Sequence, residues 1–178
     1  MVSLVFKPSA PCDPGGMPQR PPSVTVPCRP CPAAATLQIV GERWSLLVVR
    51  ELLFGVRRFD AIARNTGAPR DRLTARLRSL EETGIVERRA YQERPPRYEY
   101  HLTEAGRDLA PVVFALFTWG GRWLFDESPV ELRHRAAGGH EHVLPLDSPR
   151  HCPTCDEPLR PEDVVPRRNL PAEASEQA

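Results

Sequence analysis

A leucine spacing constrains this chain more than any other feature. In the stretch Ala68-Pro-Arg-Asp-Arg-Leu-Thr-Ala-Arg-Leu-Arg-Ser-Leu-Glu-Glu-Thr-Gly84, Leu73, Leu77 and Leu80 recur at i, i+4 and i+7. That spacing makes one narrow apolar stripe on a helix and leaves Arg70, Asp71, Thr74, Ala75 and Arg78 pointing away from it. Pro69 suits a first helical turn and Gly84 a stop. Just upstream, Phe59-Asp-Ala-Ile-Ala-Arg-Asn-Thr-Gly67 sets Phe59, Ile62 and Ala63 on one face and exits through glycine. Helix, tight turn and second helix follow in order, which is the helix-turn-helix arrangement.

A hairpin is expected next. Ile85–Tyr91 and Arg97–Leu102 alternate in polarity and are rich in β-branched and aromatic residues, with Val86, Tyr98 and Tyr100 expected to face the helices. The connection Gln92-Glu-Arg-Pro-Pro-Arg97 is polar and stiffened by two prolines. A hairpin after the second helix makes a wing, and Arg94 and Arg97 flank its tip. Across residues 57–97 eleven Arg stand against six acids, a balance of +5, whereas the whole chain carries only +1. The positive charge is therefore local. It fits an anionic partner, with phosphate contacts supplying salt-dependent affinity and a few side chains at base edges supplying discrimination. On this ground Arg70, Asp71, Arg72, Thr74, Ala75 and Arg78 are expected at a DNA major groove and Arg94 and Arg97 on the flanking backbone. Arg72 and Arg76 lie nearer the edge of the apolar stripe.

The flanks divide the chain into three. Residues 1–30, dense in proline, are expected to be a disordered arm. Val2–Phe6 lacks the charged start and long apolar run of a secretory signal, and no stretch reaches the ~18–20 apolar residues of a membrane span, so a cytoplasmic protein is expected. Order should begin near Cys31, with a short helix over Pro32–Val40 turning Leu37 and Val40 inward. A longer helix over Arg43–Phe54 should follow, anchored by Trp44, Leu47, Val48 and Leu52. Gly55–Phe59 leaves room for a short strand against the wing. Beyond it, Thr103 can cap one long helix whose stripe of Leu109, Val112, Val113, Leu116, Phe117, Trp119, Trp123 and Leu124 is wider than a small domain needs, which suggests a homodimer interface. Pro129–Ala136 reads as a short helix, and residues 156–178 as a polar tail within a C-terminal extension over 130–178.

Several of these motifs together resemble one family. Cys31-Pro-Ala-Ala, Ile39-Val-Gly-Glu-Arg-Trp-Ser-Leu-Leu-Val-Val-Arg-Glu-Leu52, Arg58-Phe59, Leu73–Gly84, Pro95-Pro-Arg-Tyr-Glu-Tyr-His-Leu-Thr-Glu-Ala-Gly106 and Trp119-Gly120 are similar to the HxlR-type winged helix-turn-helix regulators of bacteria. The resemblance covers residues 31–129. It implies a mainly α fold with a small antiparallel β wing, related to MarR-type regulators and dimerising through flanking helices. It also implies a homodimeric transcription factor, a repressor rather than an activator, binding inverted repeats in double-stranded DNA. The other readings are a winged-helix module used for protein contacts and, further off, a thiol-disulfide oxidoreductase. The sequence carries no Gly-rich phosphate loop, Gly-x-Ser-x-Gly elbow or His-Glu-x-x-His motif to support an enzyme.

Five cysteines, Cys12, Cys28, Cys31, Cys152 and Cys155, pose a separate question. In a cytoplasmic setting they should be thiols rather than a disulfide framework. Cys31 stands at a helix start, two residues after Arg29, in surroundings that favour a thiolate. It also matches the position some HxlR-type regulators use to sense electrophiles or oxidants, so a small oxidant or electrophile is the expected effector. Cys28-Arg-Pro-Cys31 and Cys152-Pro-Thr-Cys155 are both C-x-x-C pairs. Such pairs point to metal or redox chemistry or to plain exposed thiols; the metal reading is zinc, on Cys152 and Cys155 with a nearby imidazole among His140, His142 and His151, of which His151 is expected.

Overall fold

The structure is a computed structural model that describes residues 31–144 and 151–168. The expected arm, with Cys12 and Cys28, and the end of the tail lie outside these residues. The chain forms two compact units that divide between Asp108 and Leu109. The first holds α1 (Pro32–Val40), α2 (Ser45–Leu53), α3 (Phe59–Thr66), α4 (Arg70–Glu82), β1 (Val86–Gln92), β2 (Arg97–Leu102) and α5 (Glu104–Arg107). The second holds α6 (Ala110–Trp123), β3 (Val130–Arg135), β4 (Glu141–Val143), a short 3-10 turn (Pro161–Asp163) and β5 (Val164–Arg168).

The core of the first unit is the one the leucine spacing requires. Leu73, Leu77 and Leu80 of α4 are buried with Ile62 of α3, Val48, Val49 and Leu52 of α2, and Val40 of α1. Two expected anchors of α2, Trp44 and Leu47, are only half-buried, and Val49 takes their place. α2 begins at Ser45 with Trp44 as its N-cap, and its buried face is Ser45, Val48, Val49, Glu51 and Leu52. Leu37, expected inward, is exposed; α1 is short and buries only its last residue, Val40, before Gly41 ends it. A Cβ at Gly41 would stand 2.3 Å from the Leu37 carbonyl oxygen, so glycine is required there.

Polar contacts fix the angles between helices. The buried Glu51 carboxylate of α2 accepts hydrogen bonds from Asn65 Nδ2 of α3 at 2.7 Å and from Arg50 at 2.6 and 2.9 Å. Gly67, at φ 66°, turns the chain from α3 towards α4 in the left-handed region that disfavours other residues. The turn is tightened by Thr66, whose hydroxyl donates to the Ile62 carbonyl at 2.7 Å.

The wing is an antiparallel pair in which Val86 faces Leu102, Arg88 faces Tyr100 and Ala90 faces Tyr98, with a bulge between Ala90 and Gln92. The expected phase holds along one face, since Val86 and Leu102 are buried. Its far end does not reach the helices, so Tyr98 is exposed and Arg88 stacks 4.3 Å from its ring centroid. The expected short strand before α3 is a single bridge, Arg58 to Glu99, beside a hydrogen bond from Tyr100 N to Arg57 O of 3.0 Å. At the base, Thr103 caps α5 by accepting from Gly106 N at 3.2 Å and donates to Gly84 O at 2.6 Å, pinning the end of β2 to the turn after α4.

Two expectations fail downstream. The single long helix after Thr103 is broken into α5 and α6, because Pro111, in the first turn of α6, has no N–H to donate and favours a new helix start. Within Pro129–Ala136, Val130–Arg135 is a strand rather than a helix. Val130, Leu132 and His134 alternate with Glu131, Arg133 and Arg135, a period of two, and β3 pairs antiparallel with both β4 and β5. The sheet order is β4-β3-β5. β5 comes from the expected polar tail, and its edge position accommodates Pro166 opposite Leu132.

Candidate nucleic-acid interface

α4 buries its three leucines and turns a continuous polar face outward. Arg70, Asp71, Arg72, Thr74, Ala75 and Arg78 are all exposed, as the helical phase requires. Arg76, at the edge of the stripe, is half-buried and lies 3.9 Å from Glu42. The outward guanidinium groups are held by neighbours that periodicity alone does not reveal. Arg70 donates to Asp60 of α3 at 2.7 Å and lies 4.8 Å from the Phe59 ring centroid. Arg78 Nε donates to Glu82 at 2.8 Å, one turn along. Arg72 lies 3.8 Å from Asp71, and the Thr74 hydroxyl turns back to the Arg70 carbonyl at 2.8 Å. Exposed pairs of this kind contribute little, about 0.3–0.5 kcal/mol across a helical turn.

The wing carries its charge in two tiers. Near its base the basic groups are paired: Arg89 with Glu87, Arg88 with Glu81 at 3.8 Å and Arg58 with Glu99 at 3.6 Å. Burial, and then the neighbouring Arg57 and Arg89, hold the His101 imidazole below its ordinary value, so it adds no positive charge at neutral pH. At the tip, Arg94 and Arg97 are exposed and have no ion-pair partner among the described residues. Free guanidinium groups beside a proline-stiffened turn, where Gln92 Nε2 bonds the Arg94 carbonyl at 3.0 Å, suit phosphate oxygens.

The remaining site candidates lie elsewhere. Cys31 is the N-cap of α1, half-exposed, and its side chain makes no capping hydrogen bond. In the second unit Cys152 is fully buried and Cys155 half-buried. The third group beside them is not His151, which is exposed and faces Pro158 in an isolated bridge. It is His134 of β3, 1% exposed, whose Nδ1 is 3.5 Å from Cys155 Sγ. The physical reason is the strand period: Leu132, His134 and Ala136 share the buried face of β3, and that alternation was the signal that could have picked out His134. Burial pushes the Cys152 thiol up. The backbone N–H groups of Cys155 and Thr154, with the Cys155 and His134 side chains, outweigh it and bring the thiol down to about 7.

α6 carries an apolar seam that is exposed among the described residues. Val112, Leu116, Trp119 and Trp123, spaced by four, three and four residues, are 41–64% exposed, and Leu124 and Phe125 continue the patch. Exposed apolar area of this extent marks an interaction surface. No helix among the described residues is long and apolar enough to cross a membrane.

The family model described as HxlR-like helix-turn-helix matches residues 39–128. An uncharacterized HTH-type transcriptional regulator of Mycobacterium tuberculosis is 45% identical over 132 residues, which is 73% of this chain and 80% of that protein. An uncharacterized HTH-type transcriptional regulator of Synechocystis is 43% identical over 102 residues, covering 55% of this chain and 73% of its own length. Among solved structures, PA1607, described as a putative transcription factor, superposes with a TM-score of 0.59 at 35% identity, over 76% of this chain and 92% of that one.

Proposed function

The chain belongs to the HxlR-like helix-turn-helix family and is a transcriptional regulator rather than an enzyme, and we propose that it reads DNA as a homodimer, with one α4 in the major groove of each half-site and each wing on the flanking backbone. The observation that carries this reading is the division of labour on α4. One face is wholly buried in the core, and the opposite face offers Arg70, Asp71, Arg72, Thr74, Ala75 and Arg78 from a rigid support. Arg94 and Arg97 at the wing tip supply charge where a phosphate backbone would run. The seam Val112, Leu116, Trp119 and Trp123 supports pairing of two chains through α6, since its 4-3-4 spacing is that of a helix-to-helix seam.

Control by oxidants or electrophiles rests on Cys31, a half-exposed thiol at the start of α1. Modification there would disturb the N-terminal end of a helix that packs on α4. The test is fluorescence anisotropy with labelled DNA from upstream of the protein's own gene and with random DNA, titrated across salt. Expected is tight binding to the upstream DNA, falling as salt rises and released by mild oxidant in wild type but not in Cys31→Ser. Equal affinity for upstream and random DNA would count against sequence-specific reading at that promoter. Oxidant release that persists in Cys31→Ser would remove Cys31 from the mechanism.

A further inference from the structure

We propose that His134, Cys152 and Cys155 form a zinc site in the second unit, with three protein ligands and a fourth position taken by water. The three ligand atoms all lie within 4.8 Å of one another. Two thiolates and an imidazole around tetrahedral zinc, with bonds of ~2.3 and ~2.0 Å, require sulfur–nitrogen edges of about 3.5 Å. The Cys155 Sγ to His134 Nδ1 distance is 3.5 Å. Sulfur and imidazole ligands select zinc over magnesium or calcium, which take oxygen.

The local backbone is shaped for this task. Asp156 N bonds the Cys152 carbonyl at 2.8 Å and Cys152 N bonds the Glu157 carbonyl at 2.9 Å, so the chain folds back tightly around the two sulfurs. Asp156 takes a positive φ of 59° to complete that turn. On the other side of the ring, His134 Nε2 faces Glu157 Oε2 at 3.8 Å, and that carboxylate oxygen is itself fixed by Ala137 N at 3.2 Å. An imidazole whose second nitrogen looks at a carboxylate is the usual outer arrangement of a metal-bound histidine.

Size supplies the independent argument. The β-rich part of this unit runs only from Val130 to Arg168, with strands of six, three and five residues. Among its described residues, those buried are Leu132, His134, Ala136, Leu144, Cys152 and Val164. Segments of roughly 40 residues or fewer rarely hold together on an apolar core of that kind without a metal, a disulfide or an added partner. A metal that joins β3 to the Cys152–Cys155 turn provides the missing link, and its binding energy becomes folding energy.

The test uses the full chain, stripped of metal with chelator under reducing conditions and titrated with cobalt(II) and then zinc in the absence of DNA. Its outcome is therefore independent of the DNA-reading proposal. Expected are one metal per chain, a thiolate-to-cobalt charge-transfer band that zinc abolishes, and loss of that band in Cys152→Ser, Cys155→Ser and His134→Asn. His151→Ala and Cys31→Ser should bind as wild type does. Cys155 is half-exposed, so its serine variant keeps the test decisive if the buried Cys152 variant does not fold. Absence of a thiolate band in reduced wild type would overturn the proposal. So would a band that survives in His134→Asn and vanishes in His151→Ala.

Discussion

Arg78→Ala puts the proposed role of α4 to its sharpest test. In the free protein Arg78 Nε donates to Glu82 at 2.8 Å, and the two side chains are 79% and 62% exposed. A pair that open to solvent is worth about 0.3–0.5 kcal/mol across a helical turn, whereas a bidentate guanidinium contact with a base edge is worth about 1–3 kcal/mol. The difference, roughly 0.5–2.7 kcal/mol per half-site, is what Arg78→Ala should lose. At about 1.4 kcal/mol per tenfold, that is roughly 2- to 90-fold in operator affinity for each half-site. Stability should hardly move, because a solvated surface pair is removed and no core atom is touched. Glu82→Ala should act in the opposite sense, raising operator affinity by no more than about 2-fold, since it frees the guanidinium at the cost of the same small pair. The assay is anisotropy on a binding site selected from a random library, run beside random DNA, with thermal unfolding as the control. The base-reading role would be refuted if Arg78→Ala lost the same factor on both DNAs while the log–log salt slope fell by about one unit. That is the signature of a lost phosphate contact.

Further expectations follow from the same coordinates. Asn65→Ala leaves the buried Glu51 carboxylate with only Arg50, which should cost about 1–3 kcal/mol and lower the melting temperature of a unit this size by about 4 °C or more; Glu51→Gln in the same background should recover part of the loss, and calorimetry of both variants checks it. Placing charge in the α6 seam with Leu116→Glu and Trp119→Glu should convert a dimer to a monomer in light scattering and weaken operator binding by more than tenfold. A monomeric wild type would refute the seam.

How much of this was legible in the sequence depended on how local the deciding interactions were. The leucines of α4 specify both its helix and its inward face, because every residue concerned lies within three turns. The charge face opposite them was legible for the same reason. The partners that hold those charges were not: Asp60 is ten residues from Arg70 and Glu51 fourteen from Asn65, and no period connects them. The wing phase was legible, but a strand pattern does not say how far the helices extend beneath it, and so Tyr98 was placed inward and stands exposed.

The second unit shows where local reading fails and why. Val130–Arg135 carries the alternation that turns Leu132 and His134 inward, but only Val130 and Leu132 are apolar within it, so the strand signal is legible yet faint. What makes it a strand is β5, about thirty residues later, which carries a proline and reads as tail. Once that non-local pairing is present, every other residue of β3 must face inward, and His134 becomes a buried polar side chain. A buried imidazole needs partners, and the two thiols of Cys152 and Cys155 meet it there. The adjacent His151 was favoured by sequence proximity alone. Yet Cys152 is fully buried while His151 beside it is exposed, so the side chain next in sequence lies away from the buried sulfur that His134 approaches from β3.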